Sequence, residues 1–343
     1  MNIKSQCKID RMHTELIEIL RCPQTGQRLA LEQPEYREGH IHSGWLVSED
    51  GQYRYPIREF IPRFVPESNY ADNFGMQWNK FRQTQLDSYS GHPISANRFW
   101  NATGWRPEDI AGQWVLDAGC GAGRFAQVAL QAGAKVIALD YSSAADACYA
   151  NLKHHPNLHV VQGDIYALPF PKEFFPFVYS LGVLQHTPDV ARAFAALPPM
   201  AMAGGRLCVD FYQNSWKSKL LPKYWLRPMT KRMPKVRLFA ILESLVPKLL
   251  PLSRLLSRVP VLGGGLKRLV PVANHVGILP LSERQHLEWS LLDTFDWLSP
   301  EFDNPQTAAT VRRWLEDAGL ERVEVLKAGH LVGRGKMSYA PRY

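Results

Sequence analysis

The segment that most constrains this chain begins at Trp114. Three apolar residues, Trp114-Val115-Leu116, run into Asp117-Ala118-Gly119-Cys120-Gly121-Ala122-Gly123-Arg124 and from there into an alanine-rich stretch. An apolar strand feeding a glycine turn and a helix opens a βαβ unit, and open α/β sheets bind ligands at the carboxyl ends of such strands. Glycines at 119, 121 and 123 let the backbone turn sharply and approach a ligand with no Cβ in between. Alone, the motif is also compatible with a mere tight turn. A dinucleotide fold is the main rival, but its spacing asks for a glycine at 124, where this chain has Arg124.

After Gly112 apolar strand-like runs alternate with helix-length segments, which implies stacked βαβ units. Strands are expected over residues 114–117, 135–140, 159–163, 177–181 and 205–211. The unbroken apolar run Val136-Ile137-Ala138-Leu139 suits a parallel strand buried on both faces. Near the C-terminus a helix is expected over 306–318, stopped by Gly319, then strands over 322–326 and 330–333. The gap Lys327-Ala328-Gly329 is too short for a parallel crossover, so these two strands should form an antiparallel hairpin at the sheet edge. The fold class is therefore α/β: a mostly parallel, Rossmann-like sheet with a C-terminal hairpin, a small N-terminal β-rich module and a helical insert.

Asp140 ends the second strand, where a carboxylate can accept both hydroxyls of a ribose; this points to a nucleoside without saying which. The third strand leads into Val161-Gln162-Gly163-Asp164-Ile165-Tyr166-Ala167-Leu168-Pro169-Phe170, and the fourth into Val178-Tyr179-Ser180-Leu181-Gly182-Val183-Leu184-Gln185-His186-Thr187-Pro188-Asp189. In this order, across residues 112–211, the four stretches resemble class I S-adenosylmethionine-dependent methyltransferases, and the fourth is similar to the ubiquinone-biosynthesis-like group. The resemblance implies S-adenosyl-L-methionine as cofactor, with the glycine loop along its methionine part, Asp140 on the ribose and Asp164 on the adenine amino group. The cofactor set it implies is Asp117, Ala118, Gly119, Cys120, Gly121, Asp140, Tyr141, Asp164, Ile165 and Leu181.

Two further pieces extend the resemblance to a bacterial subgroup with an N-terminal Trm112-like module. One is Phe74-Gly75-Met76-Gln77-Trp78-Asn79 with Gln85-Leu86-Asp87, which in that group caps the cofactor. The other is Asp293-Thr294-Phe295-Asp296-Trp297-Leu298-Ser299-Pro300 with Asn304-Pro305-Gln306-Thr307, which lies near the acceptor pocket. Trm112-like modules are often zinc ribbons, yet only Cys7 and Cys22 precede residue 112 and no Cys-x-x-Cys pair exists. Even with His40 and His42 nearby, no metal is expected; Trp45, Tyr53 and Tyr55 are expected to hold a metal-free module. Residues 74–87 carry aromatics at near-helical spacing, so one helix is expected there.

A sulfonium methyl is already activated, so such an enzyme mainly aligns the reactants and excludes water. Transfer to a hydroxyl or amine also needs a base, and His186 is the best-placed candidate. The alternative is a histidine that simply packs or bonds to a loop. Tyr212 and Asp296 are candidates for contacting the acceptor, each also readable as structural. Asp210, inside a strand, is left out of catalysis.

Charge is unevenly spread. The chain carries +8 overall, but residues 214–270 hold thirteen Lys and Arg against Glu243 alone, leaving the remainder at −4. An anionic partner should meet that segment. Leucine-rich and punctuated by prolines, it reads as a lid, with two short amphipathic helices near 236–242 and 249–256 and a turn at Gly263-Gly264-Gly265. A lipid-facing surface, giving peripheral membrane contact, is the second reading. Nucleic-acid binding ranks below it, because stacking aromatics are few: Trp216, Tyr224, Trp225 and Phe239.

The expected organisation is a Trm112-like β-rich module over 1–70, a helical linker and cofactor cap over 71–111, the first part of the core over 112–212, the basic lid over 213–285 and the rest of the core over 286–343. With 45% hydrophobic and 21% charged residues the chain should fold rather than stay disordered. No secretory signal and no run of about 18 apolar residues is visible. Five scattered cysteines suit reduced thiols, so the default address is the cytoplasm, with membrane association through the insert as an addition. The expected function is methyl transfer to a small-molecule or lipid-like acceptor. An RNA methyltransferase and a non-catalytic cofactor-binding protein are the alternatives.

Overall fold

The computed structural model describes residues 12–66, 71–214, 221–259 and 263–339; Cys7 and Trp216, named above, lie outside them. A helix, Met12–Ile19, precedes four strands, β1 (Leu29–Arg37), β2 (His40–Ser48), β3 (Arg54–Arg58) and β4 (Ile61–Pro62), which pair antiparallel in sequence order. Glu38 and Gly39, both at positive φ, make the β1–β2 turn.

Seven strands build the main sheet: β5 (Trp114–Ala118), β6 (Lys135–Asp140), β7 (Leu158–Gln162), β8 (Phe175–Ser180), β9 (Ala201–Phe211), β10 (Leu320–Ala328) and β11 (His330–Met337). Their order is β10-β11-β9-β8-β5-β6-β7. β5 to β9 are mutually parallel, whereas β11 runs antiparallel to β9 and β10 antiparallel to β11, so the hairpin closes the edge as the short gap required. The chain winds from β5 through β6 to β7, then returns to place β8 on the other side of β5. That reversal opens a crevice at the carboxyl ends of β5 and β8, where such sheets bind ligands.

Both faces of the sheet are buried. One packs Leu116, Ile137, Leu139 and Val161 in a cluster that continues into Leu16 and Leu20 at the N-terminal helix and into Ile41, Leu46 and Ile57 of the N-terminal sheet. The other packs Val115, Val136 and Ala138 against the helix Arg124–Gln131 and the helix Ile94–Thr103. The N-terminal sheet also covers the β7 edge: Phe64 N donates to Gln162 O at 2.8 Å, and Arg63 reaches Gln162 Oε1 at 2.8 Å and Asp146 Oδ1 at 2.6 Å. An edge strand covered in this way cannot pair with another chain.

Three expectations need correction. The single helix over 74–87 is two, Asp72–Lys80 and Asp87–Ser90. Its aromatic spacing was set by Phe74, Trp78 and Phe81, but the turn after Phe81 brings Gln85 to Arg124, whose Nη1 donates to Gln85 Oε1 at 2.8 Å. The insert's two short helices are one, Lys235–Ser257, running through Pro247 and Pro251. Both prolines lie on its exposed side, where water can satisfy the carbonyls that lose their N–H partners. Gly263 opens the short helix Gly263–Leu266 instead of a turn, and its N–H donates to Val259 O at 2.8 Å. The insert packs through Leu238, Leu242 and Val246 onto Leu292, Phe295 and Leu298 of the helix Glu283–Leu298, which starts at a capping box made by Ser282 and Gln285.

Candidate active site

The crevice at the ends of β5 and β8 is a cavity roofed by the helix Asp72–Lys80. Gly119, Cys120, Gly121, Asp140, Tyr141, Ile165 and Leu181 line it, as do Phe74, Trp78, Gln85, His186 and Asp296. Gly119 has φ +94, and a Cβ there would run into the Val183 side chain; only glycine allows the loop after β5 to pass so close to the loop after β8.

The loop's first three amides are spent on the protein. Gly119 N and Cys120 N both donate to Leu139 O, at 2.7 and 2.9 Å, and Gly121 N donates to Asp140 Oδ2 at 2.9 Å. A phosphate cradle instead leaves successive amides aimed at the ligand, with no carboxylate among them. Asp140 Oδ1 accepts from Ser142 N at 2.9 Å and from Ser142 Oγ at 2.8 Å. Burial pushes this carboxyl above its ordinary range, against the pull of those bonds. Asp117, behind it at the end of β5, is buried and pushed up to about 8, chiefly by burial and also by Asp140.

Not every residue expected at the cofactor faces the cavity. Asp117 and Ala118 lie behind the loop, with Ala118 O accepting from Ser180 Oγ at 2.7 Å. Asp164 Oδ1 accepts from Tyr166 N at 2.9 Å, and its neighbours Gly163 and Ile165 supply the wall.

His186 sits in a short turn, Leu184–His186, after β8. Its Nδ1 is 3.1 Å from Phe302 O. A carbonyl only accepts, so Nδ1 carries the proton and the neutral ring keeps its lone pair on Nε2. That Nε2 is buried without a protein partner. Phe74 and Tyr212 hold the ring from two sides, with centroids 5.3 and 5.4 Å away.

Tyr212 Oη donates to Asp296 Oδ2 at 3.1 Å. Asp296 lines the first cavity while Tyr212 lines a second, beneath the insert, so this bonded pair stands between the two. Burial raises the Asp296 carboxyl above the usual range. Asp210 lies outside both cavities; its Oδ2 meets Arg98 Nη2 at 2.8 Å and His330 Nδ1 at 3.3 Å. Burial alone would raise it, but the Arg98 and His330 charges hold it well below the carboxylate range.

The stretches flagged on either side of the core meet here. Gln85 Nε2 donates to Asp293 Oδ1 at 3.3 Å, and Asn304 N donates to Gln185 O at 2.9 Å. Arg82, Val183 and Thr187 also line the cavity; they fall in turns with no periodicity to single them out.

Residues 116–209 match the family model described as a methyltransferase domain. Among curated proteins, a ubiquinone biosynthesis O-methyltransferase from Thiobacillus denitrificans is 30% identical over 131 residues, 37% of this chain and 56% of that protein. A demethylmenaquinone methyltransferase from Thermobifida fusca is 32% identical over 120 residues, 34% of this chain and 51% of its own length. A malonyl-[acyl-carrier protein] O-methyltransferase from Pectobacterium atrosepticum is 37% identical over 95 residues, 28% and 37% of the two chains. The chain thus spans about half the length, or less, of the curated relatives it matches. Among solved structures, human N-acetylserotonin methyltransferase in complex with SAM is 13% identical with a TM-score of 0.45, covering 80% of this chain and 60% of its own. The glycine loop and Asp140, Asp164 and His186 all fall inside the matched methyltransferase domain.

Proposed function

We propose that the protein transfers the methyl group of S-adenosylmethionine to an apolar, lipid-like small molecule. The observation that carries this is the convergence, in one cavity within the methyltransferase domain, of the glycine loop, Asp140 and an imidazole whose Nε2 has no protein partner. The cavity fits S-adenosylmethionine better than a dinucleotide, because its loop amides are bonded to β6 and to a carboxylate and leave little to hold a pyrophosphate.

S-adenosylmethionine supplies a methyl already activated on a sulfonium. Gly119 and Gly121 would admit its amino-acid part close to the backbone, Asp140 would accept from the ribose, and the wall at Gly163 and Ile165, on either side of Asp164, would take the adenine. Trp78 and Phe74 exclude water from above. His186 takes the acceptor's proton at Nε2, while its Nδ1–H bond to Phe302 O fixes the ring's tautomer. Tyr212 and Asp296 orient the acceptor. Positioning of this kind supplies on the order of 7 to 11 kcal/mol of the barrier.

Two of the curated relatives are named for ubiquinone biosynthesis and for demethylmenaquinone. That favours a lipid-like acceptor here, as does the insert. Its long helix exposes Ile241, Leu245, Leu252 and Leu255, at 37 to 62%, beside exposed Arg237 and Lys248. Such a stripe suits an anionic membrane surface. No helix among the described residues is long and apolar enough to cross a membrane. RNA is a weaker match, since Phe239 is buried and Tyr224 partly so, leaving Trp225 as the exposed stacking aromatic among the described residues of the insert. The Trm112-like reading of the N-terminal module is supported by its small antiparallel sheet packed against the β7 edge.

Calorimetric titration with S-adenosylmethionine and, separately, NADH tests the reading. Saturable binding of the first alone is expected; binding of NADH alone would overturn it.

A further inference from the structure

The second cavity is enclosed mainly by Leu221, Pro222, Val270, Val272, Trp297 and Leu298. Tyr212 closes it toward the first cavity, through its bond to Asp296. Such a chamber would take an apolar body, but its polar groups are not neutral. Lys223 and Lys267 both contribute to the walls.

The charges beside this chamber do not balance. Lys223 Nζ is 3.3 Å and Arg227 Nε 3.8 Å from the same oxygen, Oδ2 of Asp303, and all three side chains are at most 10% exposed. The Arg227 Nη atoms are bonded to Trp297 O and Pro300 O at 2.9 and 3.0 Å, which satisfies hydrogen bonds but neutralises nothing. Lys267 has no ion pair with any described residue. Of the other carboxylates near Tyr212, Asp296 lies across its hydroxyl and Asp293 Oδ2 meets His275 Nε2 at 2.8 Å, so the buried Lys223 and Arg227 have the single Asp303 carboxylate between them. An uncompensated buried cation is costly unless an anion joins it.

We propose that this cavity is the acceptor site, and that the acceptor is an apolar molecule carrying an anionic group, a carboxylate or a phosphate, held by Lys223 and Lys267. The apolar body lies along Val270, Val272 and Leu298, and the Tyr212–Asp296 pair is the gate across which its reacting group meets the first cavity. The assignment of acceptor rests on the methyl-transfer reading; the anion site does not.

Titrating the full chain with octanoate, octyl phosphate and 1-octanol, all below micelle formation, tests this. One or both anions should bind saturably and at least about tenfold tighter than octanol, and the better anion names the acid class. Lys267→Ala, at a half-buried surface position, should weaken anion binding about tenfold and leave octanol unchanged. Leu221→Trp should block all three probes while S-adenosylmethionine binding persists. Equal affinity for octanol and the anions, or anion binding unmoved by Lys267→Ala, overturns the proposal. If S-adenosylmethionine does not bind while the anions behave as stated, the methyl-transfer reading falls and the anion site stands.

Discussion

Replacing Asp140 tests the cofactor site directly, because the structure limits what that carboxylate has left to give. A carboxylate offers about four lone-pair sites. Gly121 N, Ser142 N and Ser142 Oγ take three and the Tyr141 N–H also bonds to it, so a ribose hydroxyl gains one bond by displacing or sharing one of these, most simply when Ser142 Oγ swings away. One hydrogen bond to a charged group is worth about 1.5 to 3 kcal/mol, so Asp140→Ala should weaken S-adenosylmethionine about 10- to 150-fold. S-adenosylhomocysteine has the same ribose and should lose the same factor. Calorimetric titration gives both constants, and thermal melting reports separately on the glycine loop, which loses its Gly121 anchor. Ser142→Ala serves as the companion: it frees a lone pair on Asp140, so binding should hold or tighten. A dissociation constant within threefold of the parent for Asp140→Ala, in a protein that still melts cooperatively, would refute this placement of the ribose.

Three other outcomes are expected. His186→Gln should lower the methyl-transfer rate about 10²- to 10⁴-fold with cofactor affinity unchanged, read by single-turnover transfer of labelled methyl, because it removes a base and not a cofactor contact. Asp210→Asn should cost about 3 to 5 kcal/mol in urea unfolding by leaving Arg98 beside an uncharged amide. Since the folded Asp210 pKa is depressed, its stabilisation is complete above the unfolded value near 3.9 and is lost as pH falls below it, so the variant's stability should vary less with acid. Gly119→Val should abolish cofactor binding and lower the melting temperature, as its side chain meets Val183 at a positive φ; unchanged melting would show that the two loops can part.

What was legible in the sequence was what local pattern dictates. The run 136–139 announced a strand buried on both faces, and a three-residue gap could only join antiparallel neighbours, as β10 and β11 are. The turn after Phe81 was not legible, because Gln85 is recruited by Arg124 from the far side of the cofactor loop. Nor was the continuity of the long insert helix. Proline costs a helix most where the freed carbonyl is buried, and burial is a property of the assembled fold, not of the residues near Pro247 and Pro251. At the site, glycines and acids stood out by spacing. The lone pair on His186 Nε2 depended on Phe302, which no local motif connects to it. The second cavity was hidden for the same reason, its cations on the insert being matched to Asp303 from beyond the next helix.

The covered β7 edge carries a consequence for synthesis. Arg63 and its partner Gln162 are 99 residues apart, so the N-terminal sheet leaves the ribosome well before the strand it must cover. At about 5 to 20 residues per second, it waits on the order of 5 to 20 s with Leu20, Ile41 and Leu46 lacking their later-made neighbours. Fragments ending before Leu158 should therefore be cleaved readily within that sheet, and fragments extending past β9 should resist. The N-terminal sheet, made well before β7, is among the last parts of the fold to find its place.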